Sequence, residues 1–283
     1  MKLLFFNEFN LGVLKPESNQ VVDVSAVTSG LPDLTPQDLI MAVITEFDQL
    51  QHSIANLAST AEGVPLESVR IRPPIPFPRN IVCMAVNYID TYAPEATPID
   101  AFNKSPNCII GDGDVMDLSS APTASVIHGE AELALVIGRH AANVTEQDAM
   151  DYVFGYTNFI DGSARGLGRG FYQGKSRRSF APIGPFLVTA DEFGDPHSKN
   201  VRLYNNGVLK QDFNTSSMAH KIPECIALIS SAHDLEPGDV IATGTHHAGL
   251  DPFMDGDRVE LETEGLGRLH ITVKDDLKRT WDR

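Results

Sequence analysis

His128, Glu130 and Glu132 occupy alternate positions of HGEAELALVIGR, residues 128–139. In an extended strand such residues share one face and lie roughly 6.5–7 Å apart along the chain. Ala131, Leu133, Leu135 and Ile137 then fill the other face. Two carboxylates side by side on an otherwise apolar element repel each other, and burial raises the cost. A cation between them reverses the sign. Oxygen ligands of this kind select hard ions, Mg2+, Mn2+ or Ca2+, over zinc. The competing reading is a strand end with solvated glutamates, and a third ligand is needed to decide. Asp161 ends the apolar run GYTNFI and opens DGSAR, at a strand's end where ligands can gather. Alone, an Asp before Gly reads as a turn residue.

A second anomaly is SARGLGRGFYQGKSRRSF, residues 163–180. It carries Arg165, Arg169, Lys175, Arg177 and Arg178 and no acid, in a chain of formal net charge -16. A solvated loop, a nucleic-acid patch and a cradle for an anionic substrate compete here. GLGRG lacks the GxGxxG spacing of a dinucleotide site. The overall negative charge opposes nucleic acid and anionic membranes. A small carboxylate-bearing molecule fits best: Arg and Lys hold its carboxylate while the cation takes its carbonyl oxygens.

The elements that must position these groups are mostly strands. IVCMAV (81–86), ELALVIG (132–138), GYTNFI (155–160), GPFLVT (184–189) and VRLYNNGVL (201–209) suit strands, with Asn205-Asn206-Gly207 as a hairpin turn. RVELET and RLHITVK alternate across EGLG. Short helices are expected after Thr145 and from Pro223 to about Ala232. Residues 1–70 read as a small separate unit. Two strands flank Asn10-Leu11-Gly12, and a helix starts at the Thr35 cap with Pro36 and Asp38. Its apolar positions run from Ile40 through Val43, Ile44, Phe47, Leu50 and Ile54 to Leu57. The proline-dense RIRPPIPFPR (70–79) is a linker into a main domain, residues 71–283. Together these predict a β-rich α+β fold, barrel-like in its main domain.

Of the 283 residues 42% are apolar, enough for a sizeable packed core. Cys83, Cys108 and Cys225 are too scattered for a disulfide framework or a CxxC metal site and read as buried thiols in a reduced compartment. The opening MKLLFFNEFNLGVL is interrupted by Asn7 and Glu8 and reads as strand rather than signal peptide. No run approaches the ~18 apolar residues of a membrane span, so a soluble cytoplasmic protein is expected.

From about residue 71 onward the chain resembles the fumarylacetoacetate hydrolase family. RPPIPFPRNIVCMAVNY, FNKSP, HGEAELALVIGR, YVFGYTNFIDGSAR, GKSRRSFAPIGPFLVT, NTSSMAHKIPE, LEPGDVIATGT and DGDRVELETEGLG occur in the family's order. The resemblance implies a β-rich, barrel-like catalytic fold with a small N-terminal domain, forming a homodimer or higher homo-oligomer. It implies Mg2+ or Mn2+ on Glu130, Glu132 and Asp161, with Arg165, Lys175 and Thr245 contacting a small anionic keto-acid or diketone. Hydrolysis of a C–C bond through a metal-stabilised enolate is the first expected activity. Decarboxylation, isomerisation or hydration of 2-oxo acids is the alternative. A catalytically degenerate binding protein is the third possibility.

The chain departs from the family in two places. Where many members carry NYxDHxxE, with the His and Glu activating water, this sequence reads NYIDTYAPE, residues 87–95. Thr91 stands in the place of the His without gaps. Tyr92 stands there with one inserted residue, and Glu95 keeps the Glu and can serve as base. The TGTP turn becomes TGTHHAG, placing His246 and His247 beside Thr245; His246 is the candidate to replace the missing imidazole, the alternative being loop histidines that shape substrate fit. His128 suits a place beside the ligands rather than among them.

Overall fold

The computed structural model describes residues 1–15, 17–168 and 170–283, so that Arg169 of the basic stretch lies outside the described residues. The larger of two sheets is a twelve-stranded mixed sheet. Along its main path the strands run Val64–Pro65, Gln20–Asp23, Asn10–Lys15, Lys2–Phe6, Ala181–Thr189, Val153–Ala164, Ile127–Ile137, Val240–Ala242, Ile81–Met84 and Ala101–Lys104. Among the described residues the two end strands do not meet, so the sheet is open rather than a closed barrel. A second, five-stranded sheet carries the hairpins Asn200–Asn205/Val208–Asn214 and Arg258–Thr263/Gly267–Lys274, with Val115–Asp117 at its edge. The fold is β-rich α+β, as the strand pattern predicts.

The N-terminal residues extend the twelve-stranded sheet. Lys2–Phe6 pairs antiparallel with Ala181–Thr189, Leu3 opposite Leu187. The first hairpin turns at Asn7–Phe9, where Asn7 and Phe9 take positive φ, three residues before the turn expected at Asn10-Leu11-Gly12. The predicted helix is two. Pro36–Thr45 is capped by Thr35 and Asp38 as expected, and Phe47–Thr60 follows after a break at Glu46. The spacing of apolar residues carries across the break, which is why the sequence reads as a single helix.

Both faces of Ile127–Ile137 are buried, which explains its mixed pattern. Leu133, Leu135 and Ile137 pack into the core shared with Val259, Leu261 and Ile271 of the second sheet. Ala134 and Val136 lie in the core under the helices, with Ile40, Val43, Ile44 and Ile54. Each such aliphatic residue contributes about 1.5–3 kcal/mol on full burial. The carboxylates continue the face that Ala134 and Val136 begin, so the solvated-strand-end reading does not hold: Glu130 is 6% exposed and Glu132 1%.

The neighbouring strand is longer than its sequence suggests. It runs Val153–Ala164, which puts Asp161 inside the strand rather than at a turn. Gly162 is there for close packing: a Cβ would sit 2.8 Å from Phe180. Its cross-strand partner Gly129 is tighter still, a Cβ falling 2.1 Å from the Phe253 ring. Gly129→Ala is therefore expected to cost about 1–3 kcal/mol in urea unfolding; an unchanged midpoint would show that Phe253 moves freely.

The three cysteines are free and buried. No helix among the described residues is long and apolar enough to cross a membrane.

Candidate metal centre and its cavity

The two long strands bring the acids together. Glu130 stands directly opposite Asp161 in the antiparallel register, and Glu132 is two residues along the same face. Ligand oxygens of the three carboxylates lie within 4.8 Å of one another. Asp161 is 1% exposed, like Glu132.

Two cations, the buried Lys175 and the half-exposed Arg165, hold two of these acids. Lys175 Nζ donates to Glu130 Oε2 at 2.7 Å and to Asp161 Oδ2 at 2.5 Å. Arg165 pairs with Glu130 Oε1, and the Ser163 hydroxyl donates to the same oxygen at 2.9 Å. Burial alone would favour the neutral acid at Glu130, but Lys175 and Arg165 outweigh it and hold its pKa at about 2. Burial likewise opposes the charge on Lys175, and Asp161 and Glu130 more than restore it, raising its pKa. Glu132 differs. Its Oε2 accepts the Gly244 N–H at 2.8 Å, and burial, Asp161 and Glu130 together push its pKa well above the carboxylate range. Two carboxylates are thus compensated by side chains and a third, pointing into the same space, is not.

A hard divalent cation fits this arrangement. The donors are all carboxylate oxygens, the set that suits Mg2+ and Mn2+. Opposite oxygens around such an ion lie roughly 4.2 Å apart, so the observed spread closes with small side-chain rotations. The ion also supplies the charge that Glu132 lacks.

Neither residue type nor spacing marks Lys104, in the FNKSP segment, for a role. Its side chain is fully buried, and Nζ donates to Asp161 Oδ1 at 2.5 Å, to the Lys175 carbonyl at 2.6 Å and to the Gly162 carbonyl at 3.2 Å. It orients Asp161 and ties it to the short helix Tyr172–Lys175. Only the fold joins residues this far apart in sequence.

Glu130 and Glu132 floor a cavity of about 740 Å3, with Asp161 packed behind them. Glu130, Glu132, Arg165, Lys175, Gly244 and Thr245 line its polar side. Phe102 and Phe171, stacked with ring centres 4.3 Å apart, form an aromatic wall. Gln211 fixes the Thr245 turn: its Nε2 donates to Thr245 Oγ1 at 3.0 Å and to the His246 carbonyl at 2.6 Å. Thr91 and Tyr92 also line the cavity. Glu95 is exposed and is not among the lining residues. His246 turns away, stacking on Phe213, and the imidazole that lines the cavity is that of His247. Arg177 and Arg178 are not lining residues; Arg177 donates to the Ser120 carbonyl at 2.9 Å. His128 lies beside the acids, with Nδ1 buried and without a hydrogen-bond partner among the described residues.

Residues 80–274 match the fumarylacetoacetate (FAA) hydrolase C-terminal family. The chain belongs to the fumarylacetoacetate hydrolase family. It is 33% identical over 279 residues to the mitochondrial oxaloacetate tautomerase fahd2 of Xenopus laevis, covering 93% of this chain and 85% of that protein. It is 31% identical to the maleylpyruvate hydrolase of Aquipseudomonas alcaligenes, covering 97% and 99%. The crystal structure of maleylpyruvate hydrolase from Sphingobium sp. SYK-6, in complex with manganese(II) and pyruvate, superposes with a TM-score of 0.87 at 32% identity, covering 97% of this chain and 99% of that one.

Proposed function

We propose that this family member is a divalent-metal-dependent hydrolase that cleaves a carbon–carbon bond in a small β-diketo acid of the acylpyruvate type. One observation carries the reading: three buried carboxylates cluster at a cavity that Glu130 and Glu132 floor, Glu132 without a cation, and whose polar rim is Arg165, Lys175 and Thr245. End-to-end similarity to maleylpyruvate hydrolases supports it, one of them holding manganese and pyruvate.

Glu130, Glu132 and Asp161 would hold Mg2+ or Mn2+. When bound, the ion supplies Lewis-acid polarisation of the substrate's carbonyl oxygens. Lys175 and Arg165 neutralise the substrate carboxylate and the charge that develops as the bond breaks. The Thr245 hydroxyl, fixed by Gln211, orients an oxygen of the substrate, and the Phe102–Phe171 wall packs against its organic tail. A cytoplasmic homodimer accompanies this reading.

The second reading is a tautomerase acting on a 2-oxo acid such as oxaloacetate, with decarboxylation, isomerisation and hydration in the same class. The Xenopus laevis relative and the absent histidine of NYIDTYAPE favour it. Turnover of acylpyruvates and oxaloacetate with Mg2+ or Mn2+ in oxygen-18 water separates the two. The expected result is cleavage that chelation abolishes, with label in the carboxylate released from the acyl side. Keto–enol conversion of oxaloacetate with no labelled product would replace the hydrolase by the tautomerase.

A further inference from the structure

We infer that His247, aimed by Asp90, is the proton-transfer group of this cavity. The inference rests on the hydrolytic reading for the reaction, but on its own geometry for the residue. Asp90 and His247 lie 157 residues apart, and no motif pairs them.

The Asp90 side chain is fully buried. Its Oδ1 accepts the backbone N–H groups of Tyr92 at 2.7 Å and Ala93 at 2.9 Å. Its Oδ2 accepts the His247 backbone N–H at 2.6 Å and faces His247 Nδ1 at 2.9 Å. Burial opposes ionisation, yet these donors prevail and hold the carboxyl at about 2. An ionised acceptor with no proton to give requires Nδ1 to carry the hydrogen. In the neutral ring the lone pair then sits on Nε2. Among the described residues Nε2 has no hydrogen-bond partner, and His247 lines the cavity together with Glu130 and Glu132. The Tyr92 ring leans on the imidazole, centres 4.6 Å apart and tilted 36°, and limits its rotation. A buried carboxylate that sets the tautomer, a ring held in place and an unpartnered basic nitrogen on a residue that lines the cavity together make a general base. His246 has no carboxylate partner among the described residues and does not line the cavity: its Nδ1 accepts the Ala248 N–H at 3.3 Å, and its ring packs on Phe213.

The chemistry balances on one imidazole. Nε2 takes a proton from water as the water oxygen bonds to the acyl carbonyl carbon next to the methylene. The bond between that carbon and the methylene breaks, and its electron pair passes into the enolate of pyruvate. The acyl carbon leaves as a carboxylic acid, which ionises. Nε2–H then returns its proton to the methylene carbon, giving the pyruvate methyl group and restoring the base. Run backwards, the last step exchanges the methyl protons of pyruvate with solvent, and this can be read without any cleavage.

The test is exchange of pyruvate methyl protons in heavy water with Mg2+, followed by proton NMR. The wild type is expected to exchange them. His247→Ala should slow exchange by about 100-fold or more while binding Mn2+ as the wild type does, and added imidazole should restore part of the rate. Asp90→Asn should slow exchange without changing pyruvate affinity. In the metal-free protein, nitrogen-15 spectra should show His247 with its proton on Nδ1. Wild-type exchange in His247→Ala, no exchange by the wild type, loss confined to His246→Ala, or a His247 protonated on Nε2 would each overturn the inference. His247-dependent exchange without cleavage of any acylpyruvate would overturn the hydrolytic reading alone.

Discussion

Glu132→Gln is expected to abolish metal binding and turnover and, in the same protein, to raise the melting temperature of the metal-free form. The two effects have one cause. Glu132 is the acid for which the protein provides no cation, and its pKa is raised by burial, Asp161 and Glu130. A group whose folded-state pKa is raised stabilises the fold below its ordinary pKa and loses that contribution as pH rises through the folded value. Metal-free protein should therefore weaken with rising pH above the ordinary carboxylate range. Glutamine keeps the acceptor for the Gly244 N–H at 2.8 Å and removes the ionisation. A gain of about 1 kcal/mol would appear as roughly 2–4 °C. Saturating Mn2+ should raise the wild-type melting temperature and leave the variant unmoved, since only a bound ligand stabilises by mass action. A variant that still responds to Mn2+ would remove Glu132 from the ligand set.

The site was partly legible because its core lies on one stretch of chain. Glu130 and Glu132 declare themselves by a period-two pattern that puts two acids on a buried face, and strand geometry does the rest. Asp161 was legible as a residue but not as a position. Asp-Gly is a turn signal, whereas here glycine serves to admit Phe180 against the strand. Lys104 and the Asp90–His247 pair carry no local signal. They act only after Ala101–Lys104, the NYIDTYAPE segment and the turn after Thr245 have met around the cavity, a consequence of sheet order rather than spacing. The same limit applies to His246 and His247. In TGTHHAG the two histidines are equivalent by type, and only a buried Asp90 distinguishes the second. The strand content and the capped helix starts were legible because alternation and capping are local. The single long helix was not resolved into two because the break at Glu46 preserves the apolar period.

Lys175→Met should move stability the other way. Lys175 Nζ lies between Glu130 and Asp161 and is the one cation that both acids share, beside Arg165 on Glu130 and Lys104 on Asp161. Removing one partner of a buried ion pair leaves uncompensated charge and costs about 3–5 kcal/mol. The metal-free variant should therefore melt well below the wild type, and turnover should fall because the substrate's carboxylate loses its cation. The decisive measurement is the rise in melting temperature on adding Mn2+. In the wild type an arriving ion competes with the ammonium for Glu130 Oε2 and Asp161 Oδ2, whereas in Lys175→Met those two oxygens are free of it, with Arg165 and Lys104 still on the other oxygens. The rise should therefore be larger in the variant, even though its turnover is lower. A smaller rise would mean that Lys175 holds the carboxylates in place for the ion instead of standing in for it. The lysine would then belong to the support of the metal site, as Lys104 does through Asp161 Oδ1 at 2.5 Å.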